Sequence, residues 1–538
     1  MIVEVFVEVA ERLELERREA VEKALEAVEK NGFAILRAPT GYGKSFASVP
    51  LGLAAYEGSL EGIAKVIHVL PMSSITEDLY KRALQRLLQL RDGEKPLREL
   101  EALLFKKYGE RWVGYQAWNI DADFKDPLFL ASSLIYTTFD SFVLNLFKIT
   151  PLRAERAPYE SARAAIMRSV VVLDEAHLYA EAKMGEGKEL TALAAAVDSL
   201  KELRIPTLVA TATIPLKLAR LLDPQAVIVP SVDEGCRYEG ERGEVVVKDY
   251  KPKGSVEAKL VKGVDPLREL KERSFKKALL VYNTVAEAVE VYDKIRGEFD
   301  AVLIHGRLSL GDRRAAMDRL DKAKVVVATQ VVEAGVDVKG VDFMITDIAP
   351  LPSLVQRLGR VARGGGEGEV LMNISNEVYE NAVKVYDKEQ LDTTIKLLEK
   401  GEVQWRNPCP THERSYAALL EKYGEALKAE IRGDLKTALG ALNRIVTLHR
   451  SDAIRYMKAF CGLVRDSVAV PVIVSEQCIR EGRGKDCLLM LDAHRIKHED
   501  FAQNGRVKIA VEGDGLEGRC EKAGSAYICE VPDNVLFY

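Results

Sequence analysis

The sequence predicts an α/β protein with two tandem parallel-sheet domains and a C-terminal accessory α+β domain. Over the first two thirds, short β-branched runs alternate with longer helical stretches, as parallel sheets with crossover helices require. A segment that contains glycine and proline, 215–275, divides these runs into two series. From about Gln390 the alternation stops. We therefore expect domains at 1–214, 215–388 (which includes the linker) and 389–538.

The composition is that of a soluble globular protein. The 538 residues exceed what one core accommodates, and 47% of them are apolar and 30% charged. A net charge of −5 does not exclude nucleic acid, since phosphate binding needs only a local basic stripe. Glu4 and Glu8 interrupt the first apolar run, and no uncharged apolar stretch approaches the ~18 residues of a membrane span. We expect a cytoplasmic protein with no membrane partner.

The seven cysteines do not form a zinc-binding pattern, because none of them belongs to a CxxC pair. Cys478 and Cys487 share their spacing with Cys520 and Cys529, so both pairs are candidates for bridges in a hyperthermophile. Reduced, buried cysteines are the favoured expectation. Asn and Gln together number only 21, which is consistent with a thermophile.

A phosphate-binding loop follows the first predicted strand, Phe33–Arg37. The sequence APTGYGKS occupies 38–45 and leads into a predicted helix, which is the strand, loop and helix order of a P-loop. Glycines let backbone N–H groups curl around phosphate, a lysine reaches the β and γ phosphates, and a serine hydroxyl can ligate Mg²⁺. The alternative is a glycine-rich turn that caps an ordinary helix. The residues expected to hold ATP here are Thr40, Gly41, Gly43, Lys44 and Ser45.

A second buried strand, Val170–Asp174, ends in the sequence DEAH. Asp174 is placed to hold Mg²⁺ together with Ser45. Glu175 can polarise the water that attacks the γ-phosphate. His177 can sense that phosphate, although a histidine alone would more often belong to the core or the surface. Together with the P-loop, these residues predict a nucleotide hydrolase.

The second series of strands is followed by QRLGRVAR at 356–363. Arg360 and Arg363 are three residues apart, so on a helix they project from one face. From a separate domain they can reach the γ-phosphate as arginine fingers, with Gln356 beside them, and hydrolysis would then depend on domain closure. The alternative is a solvated basic helix.

These motifs, in this order, resemble those of superfamily 2 helicases, and the resemblance implies two RecA-like domains. More narrowly, the segments at 328–337, 345–350 and 353–357, with the TTFD of 137–140, resemble the CRISPR-associated helicase of type I interference systems. The resemblance implies single-strand contacts from Pro71, Ser73, Thr137 and Thr138 in the first domain and from Asn283, Thr284, Thr329 and Gln330 in the second. It implies coupling roles for Thr211 and Thr213, and nucleotide contacts for Gly335 and Asp337. Such hydroxyl and backbone donors hold phosphate without reading bases, but a threonine at these places can equally cap a helix.

The resemblance also has departures. The stretch Arg17–Ala20 lacks the glutamine of the family's adenine-reading element, and no HD-type nuclease precedes the P-loop, which begins at residue 38. The resemblance therefore implies a separate HD nuclease subunit and an RNA-guided surveillance complex as partners, with 3′-to-5′ movement on single-stranded DNA. Two alternatives stay open: a DEAH-type repair or RNA helicase, and a nucleotide-gated docking protein that does not translocate. Residues 390–538 carry no motif that assigns a role.

Overall fold

The computed structural model describes residues 1–90, 95–117, 123–126, 129–148, 159–179, 187–232, 236, 244–333, 336–426 and 431–444, together with five strands beyond them. Two parallel α/β sheets and a third, mixed sheet make up the architecture, so the expected fold class is confirmed. None of the described helices combines the length and the apolar character needed to cross a membrane.

The first lobe is an eight-stranded parallel sheet with the order β3-β4-β2-β5-β6-β1-β7-β8. Its strands are β1 (Phe33–Arg37), β2 (Lys65–Leu70), β3 (Val113–Gln116), β4 (Leu134–Thr138), β5 (Ser169–Asp174), β6 (Thr207–Thr211), β7 (Val227–Pro230) and β8 (Glu244–Val247). Its helices are α1 (Ile2–Arg12), α2 (Glu19–Asn31), α3 (Ser48–Tyr56), α4 (Ser73–Leu87), α5 (Leu97–Tyr108), α6 (Phe139–Leu146), α7 (Tyr159–Met167), α8 (Lys188–Glu202) and α9 (Leu216–Arg220). The sheet extends beyond residue 214, because β7 and β8 continue it next to β1.

The second lobe is a six-stranded parallel sheet with the order β11-β12-β10-β13-β14-β9. Its strands are β9 (Gly254–Val261), β10 (Ala278–Val281), β11 (Ala301–Ile304), β12 (Val325–Ala328), β13 (Phe343–Asp347) and β14 (Gly366–Asn373). Its helices are α10 (Pro266–Glu272), α11 (Val285–Ile295), α12 (Leu310–Leu320), α13 (Leu351–Leu358) and α14 (Asn376–Val385). Strand β9 lies in the segment that the sequence assigned to the linker, where its alternating half-buried pattern suits the edge position.

Three further helices connect the lobes, namely α15 (Lys388–Leu398), α16 (Tyr416–Ala426) and α17 (Gly433–Arg444). Helix α16 packs against α9 of the first lobe and against α13 and α15, while α17 packs against α8. The buried Arg37, at the end of β1, forms an ion pair with Glu421 of α16. These helices therefore fasten the chain after the second lobe back onto the first.

The third sheet is mixed, with the order β16-β15-β19-β18-β17. Its strands are β15 (Ala469–Ile473), β16 (Leu488–Asp492), β17 (Arg506–Ala510), β18 (Glu517–Ala523) and β19 (Ala526–Glu530). The C-terminal region thus combines helices and strands, as the expected α+β accessory domain requires.

The expectation that the cysteines are reduced is wrong for one pair. Cys236, which lies between β7 and β8 of the first lobe, forms a disulfide with Cys409, which follows α15, across 173 residues of sequence. Spacing along the chain could not indicate this bridge, because tertiary folding alone brings the two residues together. Cys478 and Cys487 lie outside the described residues, and Cys520 is paired in register with Cys529 on β18 and β19.

Candidate nucleotide site between the two lobes

The phosphate-binding loop lies where β1 ends, at the carboxyl edge of the first sheet. Gly41 and Gly43 adopt left-handed backbone angles, with φ of 78° and 102°, which an L side chain would disfavour. A 3₁₀ turn, Lys44–Ala47, precedes α3, so the expected α-helix begins later than Ser45. The Lys44 ammonium donates to the carbonyls of Ala38 (2.9 Å) and Pro39 (3.2 Å). The lysine is therefore held inside the curl of the loop, where a phosphate would be bound.

Ser45 and Asp174 meet at this edge, because only β6 separates β5 from β1 in the sheet. The Ser45 hydroxyl donates to Asp174 Oδ2 over 2.5 Å. Burial by itself would raise the pKa of Asp174, but hydrogen bonding and charge from His68, with the nearby Lys44, lower it below its usual range. An ionised carboxylate beside a hydroxyl is the oxygen donor set that Mg²⁺ favours. These two residues fit a magnesium ion.

His68, which lies on β2, supports this carboxylate and was missed by the sequence analysis. Its Nε2 lies 3.3 Å from Asp174 Oδ2, its Nδ1 lies 2.8 Å from the Ser48 hydroxyl, and its ring stacks on Tyr136. The only sequence signal is a histidine among the apolar residues that follow Lys65 in the strand KVIHVL. Such outer partners fix the orientation of a metal-binding carboxylate.

Glu175 follows the strand with a left-handed backbone, φ 51°. Its Oε2 atom is buried and has no hydrogen-bond partner among the described residues. Burial raises the pKa of Glu175, although the charge of Lys44 opposes this shift. The Oε2 atom of Glu175 lies 3.4 Å from His177 Nδ1. A buried carboxylate with a raised pKa and an oxygen that accepts no hydrogen bond from the described residues suits proton transfer with a water molecule.

His177 connects the two lobes. Its Nδ1 lies 3.2 Å from the Thr211 hydroxyl at the end of β6, and its Nε2 lies 3.4 Å from the Gln356 amide on α13. Burial and the charge of Lys44 lower the pKa of His177 to about 3, so the ring is neutral at physiological pH. Thr213 lies next to this network, since its N–H points to Thr211 Oγ1 over 3.4 Å, while its own hydroxyl has no partner in the described part of the chain.

Arg360 and Arg363 do not lie on a helix, and this part of the prediction is wrong. Helix α13 ends at Leu358, and the chain then turns with Ala362 at a φ of 48°. Both guanidiniums nevertheless face the first lobe. A Cβ atom on Gly41 would lie 3.1 Å from Arg363 Nε, and a Cβ atom on Gly359 would lie 2.3 Å from the Thr40 hydroxyl. The P-loop and the arginine segment are therefore in direct contact.

Arg360 is held by the backbone of the second lobe. One of its Nη atoms donates to the Glu333 carbonyl over 2.7 Å, and its buried Nε lacks a partner within the described residues. Burial, with repulsion from Arg363, lowers the pKa of Arg360 to about 10, so it stays charged at neutral pH. Arg363 donates to Asp337 Oδ1 over 2.6 Å. Gly335, two residues before Asp337, lies outside the described residues.

The residues expected to contact nucleic acid differ in how they are placed. Thr138 and Thr284 cap the helices α6 and α11, so the capping role weighed for them is realised. The buried Thr137 donates to the carbonyl of Gln116 over 3.0 Å. Pro71 is buried at the end of β2, and Ser73 begins α4.

Asn283 is placed in the interior of the second lobe. Its side-chain amide donates to the Ile348 carbonyl over 2.8 Å and accepts from Arg357 over 3.0 Å. Gln330 donates to the main-chain carbonyl of Asn283 over 2.7 Å. Thr329 is also buried. The Asn283 side chain is therefore buried, and it positions its neighbours rather than facing solvent.

Arg357 organises this interior, a role that the sequence analysis did not assign. Its guanidinium is fully buried and donates to Glu333, Thr346, Asn283 and the Tyr386 hydroxyl at 2.7–3.0 Å. Removing one partner from a buried ionic network of this kind is costly. Arg357 thus fixes the segment from which Arg360 projects.

Comparison with known proteins gives two family matches. The DEAD/DEAH box helicase family matches residues 18–221, and the C-terminal part of the CRISPR-associated nuclease/helicase Cas3 family matches residues 274–365. The first match contains the P-loop and the DEAH sequence, and the second contains Arg360 and Arg363.

Among similar curated proteins is the putative CRISPR-associated nuclease/helicase Cas3 of Methanocaldococcus jannaschii, 26% identical over 353 residues, or 62% of this chain and 45% of that protein. The CRISPR-associated helicase Cas3 of Thermoproteus tenax is 25% identical over 366 residues, or 64% of this chain and 57% of that protein. The chain therefore spans about half the length of the curated relatives it matches.

Among solved structures, that of T. fusca Cas3 is similar in fold, with a TM-score of 0.57 and 18% identity over 92% of this chain and 67% of that one. The same protein with ATP gives a TM-score of 0.56 at 18% identity, again over 92% of this chain and 66% of that one. Taken together, these matches show that residues 18–221 are similar to DEAD/DEAH box helicases, that residues 274–365 are similar to the C-terminal part of Cas3, and that the fold is similar to that of T. fusca Cas3.

Proposed function

We propose that this protein is an ATP-dependent 3′-to-5′ single-stranded DNA translocase and helicase that serves type I CRISPR interference. The observation that carries the proposal is the contact between the lobes. Gly359 and Arg363 of the second lobe lie against Thr40 and Gly41 of the P-loop, so one nucleotide would be enclosed by charges from both lobes.

The residues of the cleft divide the work of hydrolysis. Lys44 and the loop backbone hold the triphosphate, and Ser45 with Asp174 holds Mg²⁺, which neutralises phosphate charge when bound. Glu175 accepts the proton of the attacking water. Arg360 and Arg363 stabilise the charge that develops on the γ-phosphate, and they do so only in the closed form.

Movement on DNA follows from the links between the cleft and the strand-binding residues. His177 joins Thr211 to Gln356, so a change at the γ-phosphate is transmitted between the lobes. Opening and closing of lobes that grip a strand alternately produce translocation. In this proposal the DNA strand is held by contacts from Ser73, from the residues around Thr137 and from the loop that contains Gln330.

The partners are part of the same proposal. One curated relative, that of Thermoproteus tenax, is described as a CRISPR-associated helicase. In this proposal, DNA is cleaved by a separate HD nuclease subunit. A similar chain occurs in a structure described as a CRISPR RNA-guided surveillance complex before nicking, with a TM-score of 0.53 at 17% identity. The surveillance complex would deliver DNA to this protein.

The first test is ATP turnover by the wild-type protein with single-stranded DNA, with RNA of equal sequence and with neither. The proposal predicts strong stimulation by DNA and none in the Lys44→Ala variant. ATP turnover that is the same with and without nucleic acid would favour the nucleotide-gated docking protein instead.

Unwinding then tests polarity and substrate. Duplexes with a 3′ single-stranded tail should be unwound, and those with a 5′ tail should not. One observation favours the RNA helicase alternative: 28% identity over 138 residues with the DEAD-box ATP-dependent RNA helicase RhpA of Helicobacter pylori. Stimulation by RNA that exceeds stimulation by DNA would select that alternative.

A further inference from the structure

A chain of alternating charges crosses from the first lobe to the second beside the finger arginines. It consists of Asp78 and Arg82 on α4 and of Asp337 and Arg363 in the second lobe. The Arg82 guanidinium lies 3.0 Å from Asp78 Oδ2 and 3.0 Å from Asp337 Oδ2, and Arg363 lies 2.6 Å from Asp337 Oδ1. Arg82 belongs to none of the helicase motifs found in the sequence.

Asp337 therefore divides its carboxylate between the lobes. One oxygen faces the arginine finger of its own lobe, and the other faces Arg82 of the opposite lobe. Burial by itself would raise the pKa of Asp337, but Arg363, Arg82 and Arg360 together lower it, so the carboxylate is ionised. The Nε and Nη2 atoms of Arg363 face Gly41 of the P-loop, but its Nη1 can donate to a phosphate only if it gives up this carboxylate.

We propose that Arg82 is a positioning residue that releases the arginine finger. When the lobes close on ATP, Arg82 keeps Asp337 neutralised, and Arg363 is then free to move from Asp337 to the γ-phosphate. Without Arg82 the departure of Arg363 would leave the partly buried carboxylate with the more distant Arg360 alone, whose Nη1 lies 3.7 Å from Asp337 Oδ1, and this is unfavourable. Because Arg82 is on the first lobe, the exchange is possible only in the closed form. This inference rests on the proposed function.

The position of Arg82 also connects the exchange to the strand. Helix α4 begins at Ser73, which is proposed to contact DNA, and Arg82 lies on the same helix. A second interaction between the lobes involves this helix, since the charge of Glu77 acts on Arg313 of α12. DNA that orients α4 would thus place Arg82 against Asp337. DNA thus stimulates hydrolysis through the position of Arg82.

The test compares Arg82→Ala with Lys81→Ala, a control that removes the preceding cation of the same helix. We expect Arg82→Ala to lower the kcat of DNA-stimulated ATP hydrolysis about tenfold, as expected for the loss of a hydrogen bond to a charged group, while the KM for ATP stays within about twofold. Arg82→Lys should restore most of the rate because it keeps the charge. Melting temperatures verify that each variant folds, and Arg82→Gln replaces Arg82→Ala if the latter does not.

A second comparison separates exchange from simple tethering. In the Arg82→Ala background, Asp337→Asn removes the charge that retains Arg363, so kcat should rise above that of Arg82→Ala alone. An equal or lower kcat would overturn the exchange, and so would an Arg82→Ala variant with the wild-type rate. A wild-type protein without DNA-stimulated hydrolysis would instead overturn the proposed function, and this inference with it.

Discussion

Replacement of Gly359 by alanine tests whether the contact between the lobes is needed for hydrolysis. Gly359 follows α13 with a helical backbone, φ −58° and ψ −18°, so alanine is compatible with its conformation. The added Cβ atom would nevertheless lie 2.3 Å from the Thr40 hydroxyl, whereas ordinary contacts begin at 3.4 Å. The methyl group therefore obstructs closure. Within the second lobe it would lie 3.1 Å from the main-chain carbonyls of Val355 and Gln356, a tight contact that shifts of a few tenths of an ångström relieve.

The size of the effect follows from this overlap. Insertion of a methyl group into a packed contact costs ~1–3 kcal/mol, which corresponds to a factor of about 5 to about 160 in the closure equilibrium. Alanine also restricts the unfolded chain and stabilises the folded one by ~0.4–1 kcal/mol where its backbone angles fit. We therefore expect kcat to fall about 5-fold to 160-fold while the melting temperature stays equal or rises slightly.

Steady-state ATP hydrolysis with saturating single-stranded DNA and a thermal melt measure the two effects separately. Gly364→Ala is the matched control, because a Cβ atom there would meet no described atom within 4 Å. If Gly359→Ala hydrolyses ATP as fast as Gly364→Ala, the lobes do not close through this contact. Thr40→Ala should partly rescue Gly359→Ala by removing the obstructing oxygen, if the P-loop tolerates the change.

Three further variants probe the site and the fold. Arg360→Ala should lower kcat about 10³-fold, as loss of an arginine finger does, with nucleotide affinity kept within about threefold in a fluorescent-nucleotide titration; normal hydrolysis would refute the finger assignment. His177→Ala removes the link between Thr211 and Gln356, so stimulation by DNA should fall at least about tenfold while basal hydrolysis falls less, and equal losses would contradict a coupling role. Burial, followed by the charge of a nearby glutamate, raises the pKa of Asp347 from 3.8 to about 7, so the folded protein holds a proton there and loses stability as pH rises from about 4 to about 7, by at most ~4 kcal/mol. Asp347→Asn should therefore melt higher than wild type at pH 8 and alike at pH 4, and a constant difference across this range would disprove the shift.

Much of the nucleotide site was predictable because its signals are local. The P-loop depends on residues within one strand, one turn and the start of one helix, and DEAH directly follows a strand. Parallel strands bring their carboxyl ends to one edge, so the meeting of Ser45 with Asp174 followed from the motif order. The prediction that the arginines of the second lobe reach the first rested instead on the spacing within QRLGRVAR and on its position in a separate domain.

The errors arose where a residue's role depends on distant neighbours. Arg360 and Arg363 were expected on a helix, since their spacing fits one, but the chain turns after Leu358. Asn283, for which the resemblance implied a strand contact, is packed by the fold against Arg357. Neither the spacing of residues along a helix nor their place in a family motif specifies which distant side chain they contact.

By itself the sequence determined two α/β lobes, the order of their motifs and the meeting of the P-loop with the DEAH sequence at one sheet edge, because strand periodicity and phosphate loops depend on adjacent residues. Only the tertiary structure decided that His68 supports Asp174, that Arg82 shares Asp337 with Arg363, and that Cys236 is bonded to Cys409. These pairs are 106, 255 and 173 residues apart, and no local pattern specifies them. Contacts at such separations exist only after the sheets have formed and packed.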